Sequence, residues 1–152
     1  MKIGDILRIR GRPVITAEPD ETVHDAIQKM VNNRLGALPI CDGKGNMVGI
    51  VSERDLLKEC AQRASAIKQT KIKEMMTKEV IIGVPDDSID YIISVMTQKG
   101  VRHLPIMAGS RLEGMISMRD IVQAQLEEFK SKLEETKTQV RYLSNYTLGE
   151  TD

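Results

Sequence analysis

The sequence predicts an α/β fold of the α+β kind: one β-α-β-β-α unit used twice, followed by a long C-terminal amphipathic helix. Three observations predict it. Identical residues recur along the chain at one spacing. Within each copy, short β-branched runs alternate with apolar residues at helical spacing. Beyond the second copy, apolar residues repeat in heptads from Val122 to Leu143.

The repeat organises everything else. Pro19 matches Pro85, Asp20 matches Asp86, Met30 matches Met96, and Leu38-Pro39-Ile40 matches Leu104-Pro105-Ile106, all 66 positions apart. The offset then falls to 65, pairing Gly49 with Gly114, Ser52 with Ser117 and Arg54-Asp55 with Arg119-Asp120. The lost residue falls between Asp42 and Met47, in a Gly-rich stretch where a hairpin loop tolerates a change of length. The approaches to the two copies also resemble each other, Lys2-Ile3-Gly4-Asp5-Ile6-Leu7 against Lys71-Ile72-Lys73-Glu74-Met75-Met76.

Each element has a local cause. Val14-Ile15-Thr16 is a β-branched run that stops before Pro19, and is expected to form a strand. Asp20-Glu21-Thr22 supplies a cap and acidic first-turn residues for a helix whose apolar stripe is Val23, Ala26, Ile27 and Met30. Asn33 closes it. Ala37-Leu38-Pro39-Ile40-Cys41 is a short apolar strand, and its proline implies an edge or strand-start position. Residues 42–46 carry turn chemistry, Met47-Val48-Gly49-Ile50-Val51 returns as a strand, and Ser52 opens a second helix. That helix is expected to extend through the linking residues 58–69. The second copy repeats the order: a strand near Ile81-Ile82, a helix from Asp86, strands at 104–107 and 112–116, and a helix from Ser117. The expected organisation is residues 1–66 as the first repeat with its lead-in, 67–124 as the second, and 125–152 as helix and frayed tail.

In the C-terminal segment Val122, Leu126, Phe129, Leu133, Thr136, Val140 and Leu143 follow one another at intervals of four and three. Such a helix joins two chains as a coiled coil or lies back on its own domain, and the sequence leaves both open. Ser144 to Asp152 is expected to fray.

Composition narrows the function classes. Lys plus Arg and Asp plus Glu balance at 22 each, with no basic excess for nucleic acid. One Phe, three Tyr and no Trp leave no base-stacking platform and an aliphatic core. Apolar runs are too short to span a bilayer, and Met1-Lys2-Ile3-Gly4-Asp5 lacks the apolar stretch of a signal peptide, so a cytoplasmic setting is expected. Cys41 and Cys60 form no CxxC pattern. The nine methionines read as core fillers rather than a metal site. No nucleophile–base pair, metal-spaced Cys/His cluster or Gly-rich phosphate loop is present, so no catalytic residue, metal or required cofactor is expected.

Gly49-Ile-Val-Ser52-Glu-Arg-Asp55 and Gly114-Met-Ile-Ser117-Met-Arg-Asp120 resemble the closing motif of CBS domains. Leu35-Gly-Ala-Leu-Pro-Ile40 and Val101-Arg-His-Leu-Pro-Ile106 resemble its middle-strand motif, and Pro19-Asp-Glu-Thr-Val and Pro85-Asp-Asp-Ser-Ile the start of its first helix. The resemblance spans residues 2 to about 124. It implies a stand-alone CBS pair, or Bateman module, packed about a pseudo-twofold axis with two clefts between the repeats.

The same resemblance implies a regulatory ligand: an adenine nucleotide or adenosine derivative such as AMP, ADP, ATP, S-adenosylmethionine or NAD(H). The first cleft would join Ser52, Arg54 and Asp55 to Ile81, Ile82, Arg102 and His103. There Asp55 would hold the ribose diol, and Arg102 and His103 the phosphates. The second would join Ser117, Arg119 and Asp120 to Ile15, Thr16, Gly36 and Ala37, where the small residues leave room but offer no charge. Phosphate-rich ligands are therefore expected in the first cleft. Ser52 and Ser117 are also natural helix caps, and Asp55 and Asp120 natural first-turn acids, roles compatible with binding. The implied partners are the adenosyl ligand, a second copy in a homodimer and an unidentified regulated protein. The alternative is a dimerisation or interaction scaffold that senses nothing.

Overall fold

The computed structural model describes residues 1–151, with side chains through residue 146. The chain divides into two compact units, Met1–Ser117 and Met118–Asp152. The first holds helix α1 (Ile3–Arg10), then α2 (Val23–Asn33), β1 (Ala37–Cys41), β2 (Met47–Ser52) and α3 (Glu53–Arg63). It continues through two 3-10 turns, Ala64–Ala66 and Ile72–Glu74, to α4 (Ile89–Lys99), β3 (His103–Ala108) and β4 (Arg111–Ser117). The second unit is one helix, α5 (Met118–Thr151).

Each repeat centres on a two-stranded antiparallel hairpin, β1 with β2 and β3 with β4. The hairpins share a defect: register shifts between Ile40 and Cys41 in one and between Ile106 and Met107 in the other. These are equivalent positions, so the slip in repeat spacing lies in the loop and not in the ladder.

The expected first strand of each repeat is not a strand. It is reduced to one parallel bridge, Ala17 to Ile40 and Gly83 to Ile106. Proline is the reason. The Ala17 amide donates to the Pro39 carbonyl at 3.1 Å and the Cys41 amide to the Ala17 carbonyl at 2.9 Å. The next rung would need an N–H from Pro39, which has none. Gly83 makes the same two bonds, with Pro105 and Met107, both at 2.9 Å, and Pro105 stops the second ladder likewise.

The helix expected through residues 58–69 stops as α-helix at Arg63 and tightens into the Ala64–Ala66 turn. Conversely, α5 runs past Leu143 to Thr151, so the tail expected to fray is helical as far as it is described; Asp152 lies outside the described residues.

Hydrogen bonds cross between repeats at the lead-ins. Lys2, before the first repeat, bridges Ser88 in the second, and Lys71, before the second, bridges Thr22 in the first. The Ile3 amide donates to Asp87 at 3.1 Å and the Ile72 amide to Glu21 at 2.8 Å. These exchanged contacts give the pair its pseudo-twofold character. They also explain the motif glycines. A Cβ on Gly49 would lie 2.6 Å from the Met76 sulfur, and one on Gly114 3.0 Å from Leu7 Cδ2.

The core is aliphatic. In the first repeat Val23, Ala26, Met30, Leu38, Ile40 and Val51 pack with Ile72, which comes from the second repeat's lead-in. Their counterparts Ile89, Ile92, Met96, Leu104, Ile106 and Ile116 are buried in the second, as is Ile3. Each buried Val, Leu, Ile or Met among them contributes roughly 1.5–3 kcal/mol.

Candidate functional site

The site is built around the start of α3. Ser52 is its N-cap: the Asp55 amide donates to Ser52 Oγ at 3.2 Å, and the Ser52 amide donates to Asp55 Oδ2 at 2.9 Å. This reciprocal box fixes both side chains where the helix presents its unpaired amides and positive dipole end. Asp55 commits one carboxylate oxygen to the box.

The second repeat supplies the facing wall. The Thr77 backbone pairs with Ile50 in both directions, at 2.9 and 3.0 Å, which lays the following extended segment against β2. Arg102 and His103 stand where the chain enters β3. Together these elements enclose a groove of about 460 Å³ lined by Gly36, Ala37, Ser52, Glu53, Arg54, Asp55, Leu57, Val80, Ile81, Arg102 and His103, among others. Arg54 and Arg102 are solvent-exposed, and among the described residues neither is held in an ion pair.

His103 reaches from the second repeat to the first. Its ring sits directly over Gly36, where a Cβ would lie 2.5 Å from Cε1 and 2.6 Å from Nε2. The Gly36 carbonyl accepts from the Glu53 amide at 3.1 Å, tying this glycine to the start of α3. The space that Gly36 was expected to leave for a ligand of the second cleft is thus filled by an imidazole of the first.

Of the residues expected in the first cleft, Ser52, Arg54, Asp55, Ile81, Arg102 and His103 line this groove. Ile82 does not, and is 45% exposed. Gly36 and Ala37, expected in the second cleft, line the same groove. Ile15 and Thr16 are half-buried before the Ala17 bridge, and the Thr16 carbonyl accepts from Lys29 Nζ at 2.9 Å. Ser117 ends β4 opposite His103, while Arg119 and Asp120 lie in the first turn of α5. Sequence reasoning missed Glu53, Leu57, Thr77, Glu79 and Val80 on the groove wall. The approach segment 71–76 carried the only signal for the last three, since the chain that pairs with one repeat must continue along it.

Of the two cysteines, Cys41 is buried, which raises its thiol pKa with a smaller push from Asp42, and Cys60 is half-buried. Both are free. No helix among the described residues is long and apolar enough to cross a membrane.

A duplicated α+β unit with exchanged lead-ins, and a groove where one copy's helix cap meets the other copy's strand, defines a tandem-repeat module. The family model of the CBS domain matches residues 3–62 and 72–127, and the chain belongs to the CBS-domain family. It is 28% identical over 140 residues to the mitochondrial CBS domain-containing protein CBSX3 of Arabidopsis thaliana, covering 87% of this chain and 68% of that one. A CBS-domain protein from Agrobacterium tumefaciens superimposes with a TM-score of 0.78 at 33% identity, over 82% of this chain and 92% of the other. The CBS domain pair of protein MJ0100, solved with 5′-methylthioadenosine and S-adenosyl-L-methionine, matches with a TM-score of 0.75 at 26% identity, over 84% and 98% of the two chains.

Proposed function

We propose that the groove between Ser52–Asp55 and Arg102–His103 binds an adenosyl ligand, and that the chain is a regulatory module rather than a catalyst. One observation carries this reading. A helix N-terminus with a capped carboxylate, from one repeat, shares a groove with an exposed guanidinium and an imidazole from the other. The volume of about 460 Å³ lies within the usual range for small-molecule sites. The related MJ0100 pair, solved in complex with 5′-methylthioadenosine and S-adenosyl-L-methionine, supports an adenosyl ligand class.

The roles follow from chemistry. The Asp55 carboxylate accepts hydrogen bonds from a ribose diol. Ser52 and the first amides of α3 favour an anionic group. Arg102 pairs with phosphate in a forked, charge-assisted mode, and Ile81 with Ala37 covers the faces of the base. A ligand touching both repeats favours one relative orientation of them, which is the change a regulated partner would read. All of these residues belong to the Met1–Ser117 unit.

Calorimetry with AMP, ADP, ATP, S-adenosylmethionine and NADH tests the reading. Asp55→Asn is the informative variant, since its amide oxygen keeps the bond to the Ser52 amide while the charge is lost. We expect it to weaken binding about tenfold or more, the scale of one charge-assisted hydrogen bond. Unchanged affinity in the variant would remove Asp55 from the site. Absence of binding by every ligand would leave a scaffold that senses nothing.

A further inference from the structure

Helix α5 carries an exposed apolar seam. Val122, Leu126, Phe129, Leu133, Val140 and Leu143 are between 43% and 64% exposed. Their four–three spacing assigns Val122, Phe129, Thr136 and Leu143 to the d positions of a heptad, and Leu126, Leu133 and Val140 to the a positions. The rest of the helix then sorts by charge. The positions flanking the seam, e and g, hold Gln123, Gln125, Lys130, Lys132, Lys137 and Gln139. All four glutamates of this stretch, Glu127, Glu128, Glu134 and Glu135, fall at b and c, on the outer face.

We propose that this seam is a docking surface for a helix of another protein, one with an apolar stripe flanked by acidic residues, and not for a second copy of this chain. In a coiled coil the e and g residues of the two helices face each other and set partner choice. A second copy packed parallel brings Lys132 against Lys137 of its mate. Packed antiparallel, with Phe129 opposite Val140, it brings Lys130 against Lys137. Neither arrangement sets a glutamate against any of these lysines. An acid-flanked helix meets all three, and rejection of like charge is how such interfaces choose between partners. The Lys132–Glu128 and Lys137–Glu134 pairs within α5 do not cancel this preference. Each spans 3.7 Å, and both lysines are more than half exposed, so they exchange readily with water or another carboxylate.

The test uses the full chain and two synthetic peptides of about four heptads. Both have leucine at every seam position, one with glutamate and the other with lysine at every flanking position. Fluorescence anisotropy at low salt should show the glutamate peptide binding about tenfold more tightly, a gap that closes as salt is raised. Phe129→Asp, at an exposed position, should abolish binding of both peptides while the fold is retained. The triple variant Lys130→Glu, Lys132→Glu, Lys137→Glu should reverse the preference toward the lysine peptide. Equal affinity for the two peptides, or no binding of either, overturns the proposal. So does concentration-dependent self-association of the full chain that Phe129→Asp removes, since the seam would then serve a second copy.

Discussion

The two repeats share a backbone to fine detail and differ on the wall of the groove between them. Both hairpins bulge at equivalent positions, both first strands stop at one bridge because of equivalent prolines, and both lead-ins cross to the opposite copy. Yet the entry to the middle strand reads Gly36-Ala37 in the first repeat and Arg102-His103 in the second. Residues that shape the chain are held in register by packing on both sides. Residues at the strand entry face the groove, where one copy's side chain fills the room left by the other's glycine. The difference teaches that the pair is a symmetric scaffold holding an asymmetric centre.

The largest expected effect tests the symmetry. Leu38 and Leu104 are equivalent and 0% and 1% exposed. Leu38→Ala and Leu104→Ala should each cost about 2–5 kcal/mol, and by similar amounts, in urea denaturation. A cost in one repeat under half that in the other would break the picture of two equal cores.

The asymmetry comes next. Gly36→Ala places a methyl group inside the van der Waals surface of the His103 ring, so we expect a loss of about 1–3 kcal/mol from overpacking. Adding His103→Ala should recover most of it, because residues in contact are non-additive. Additive losses would mean that the imidazole does not depend on that glycine. One step smaller, Ser52→Ala removes the acceptor for the Asp55 amide and should cost about 1 kcal/mol. Ser88→Ala, which removes a cap of the same kind from the Tyr91 amide on the first helix of the second repeat, away from the groove, should cost a similar amount. Any excess effect of Ser52→Ala on adenosyl binding over its effect on stability would then report the site alone.

Most of the scaffold was legible in the sequence because it was written twice. Matched prolines, caps and glycines located α2, α4, both hairpins and the opening of α3 without reference to tertiary structure. Two things were not legible. The first strands looked like strands from Val14-Ile15-Thr16, but ladder length is set by hydrogen-bond supply in the neighbouring strand, and Pro39 withholds it. Six of the seven residues assigned to the first cleft line one groove, and Gly36 and Ala37, assigned to the second, line it too. Sequence spacing gives each repeat's half of a cleft but not how far an imidazole reaches across it. Thr77, Glu79 and Val80 escaped notice because linear order attaches a lead-in to the repeat that follows it, whereas its backbone bonds run to the other copy.

The smallest expected effect concerns how the lead-ins are clasped. Asp20 holds the second lead-in through Lys73 at 3.0 Å and Lys71 at 3.5 Å, whereas among the described residues its counterpart Asp86 meets only Lys2, at 3.7 Å. The hydrogen bond from Lys73, then the charges of Lys73 and Lys71, hold the Asp20 carboxyl below its usual pKa. A carboxylate depressed in the folded state stabilises the fold above its unfolded pKa, and that contribution fades as pH falls through the folded value. Asp20→Asn should therefore lower the urea midpoint slightly at neutral pH and low salt, and make no difference once both states are protonated. Raised salt should erase the effect even at neutral pH, because the carboxylate is exposed. Asp86→Asn should move the midpoint less, having one longer ion pair to lose. If the two variants behave alike, or if Asp20→Asn still destabilises in acid, the clasp is not electrostatic, and backbone bonds such as those from Ile3 and Ile72 hold the exchanged lead-ins alone.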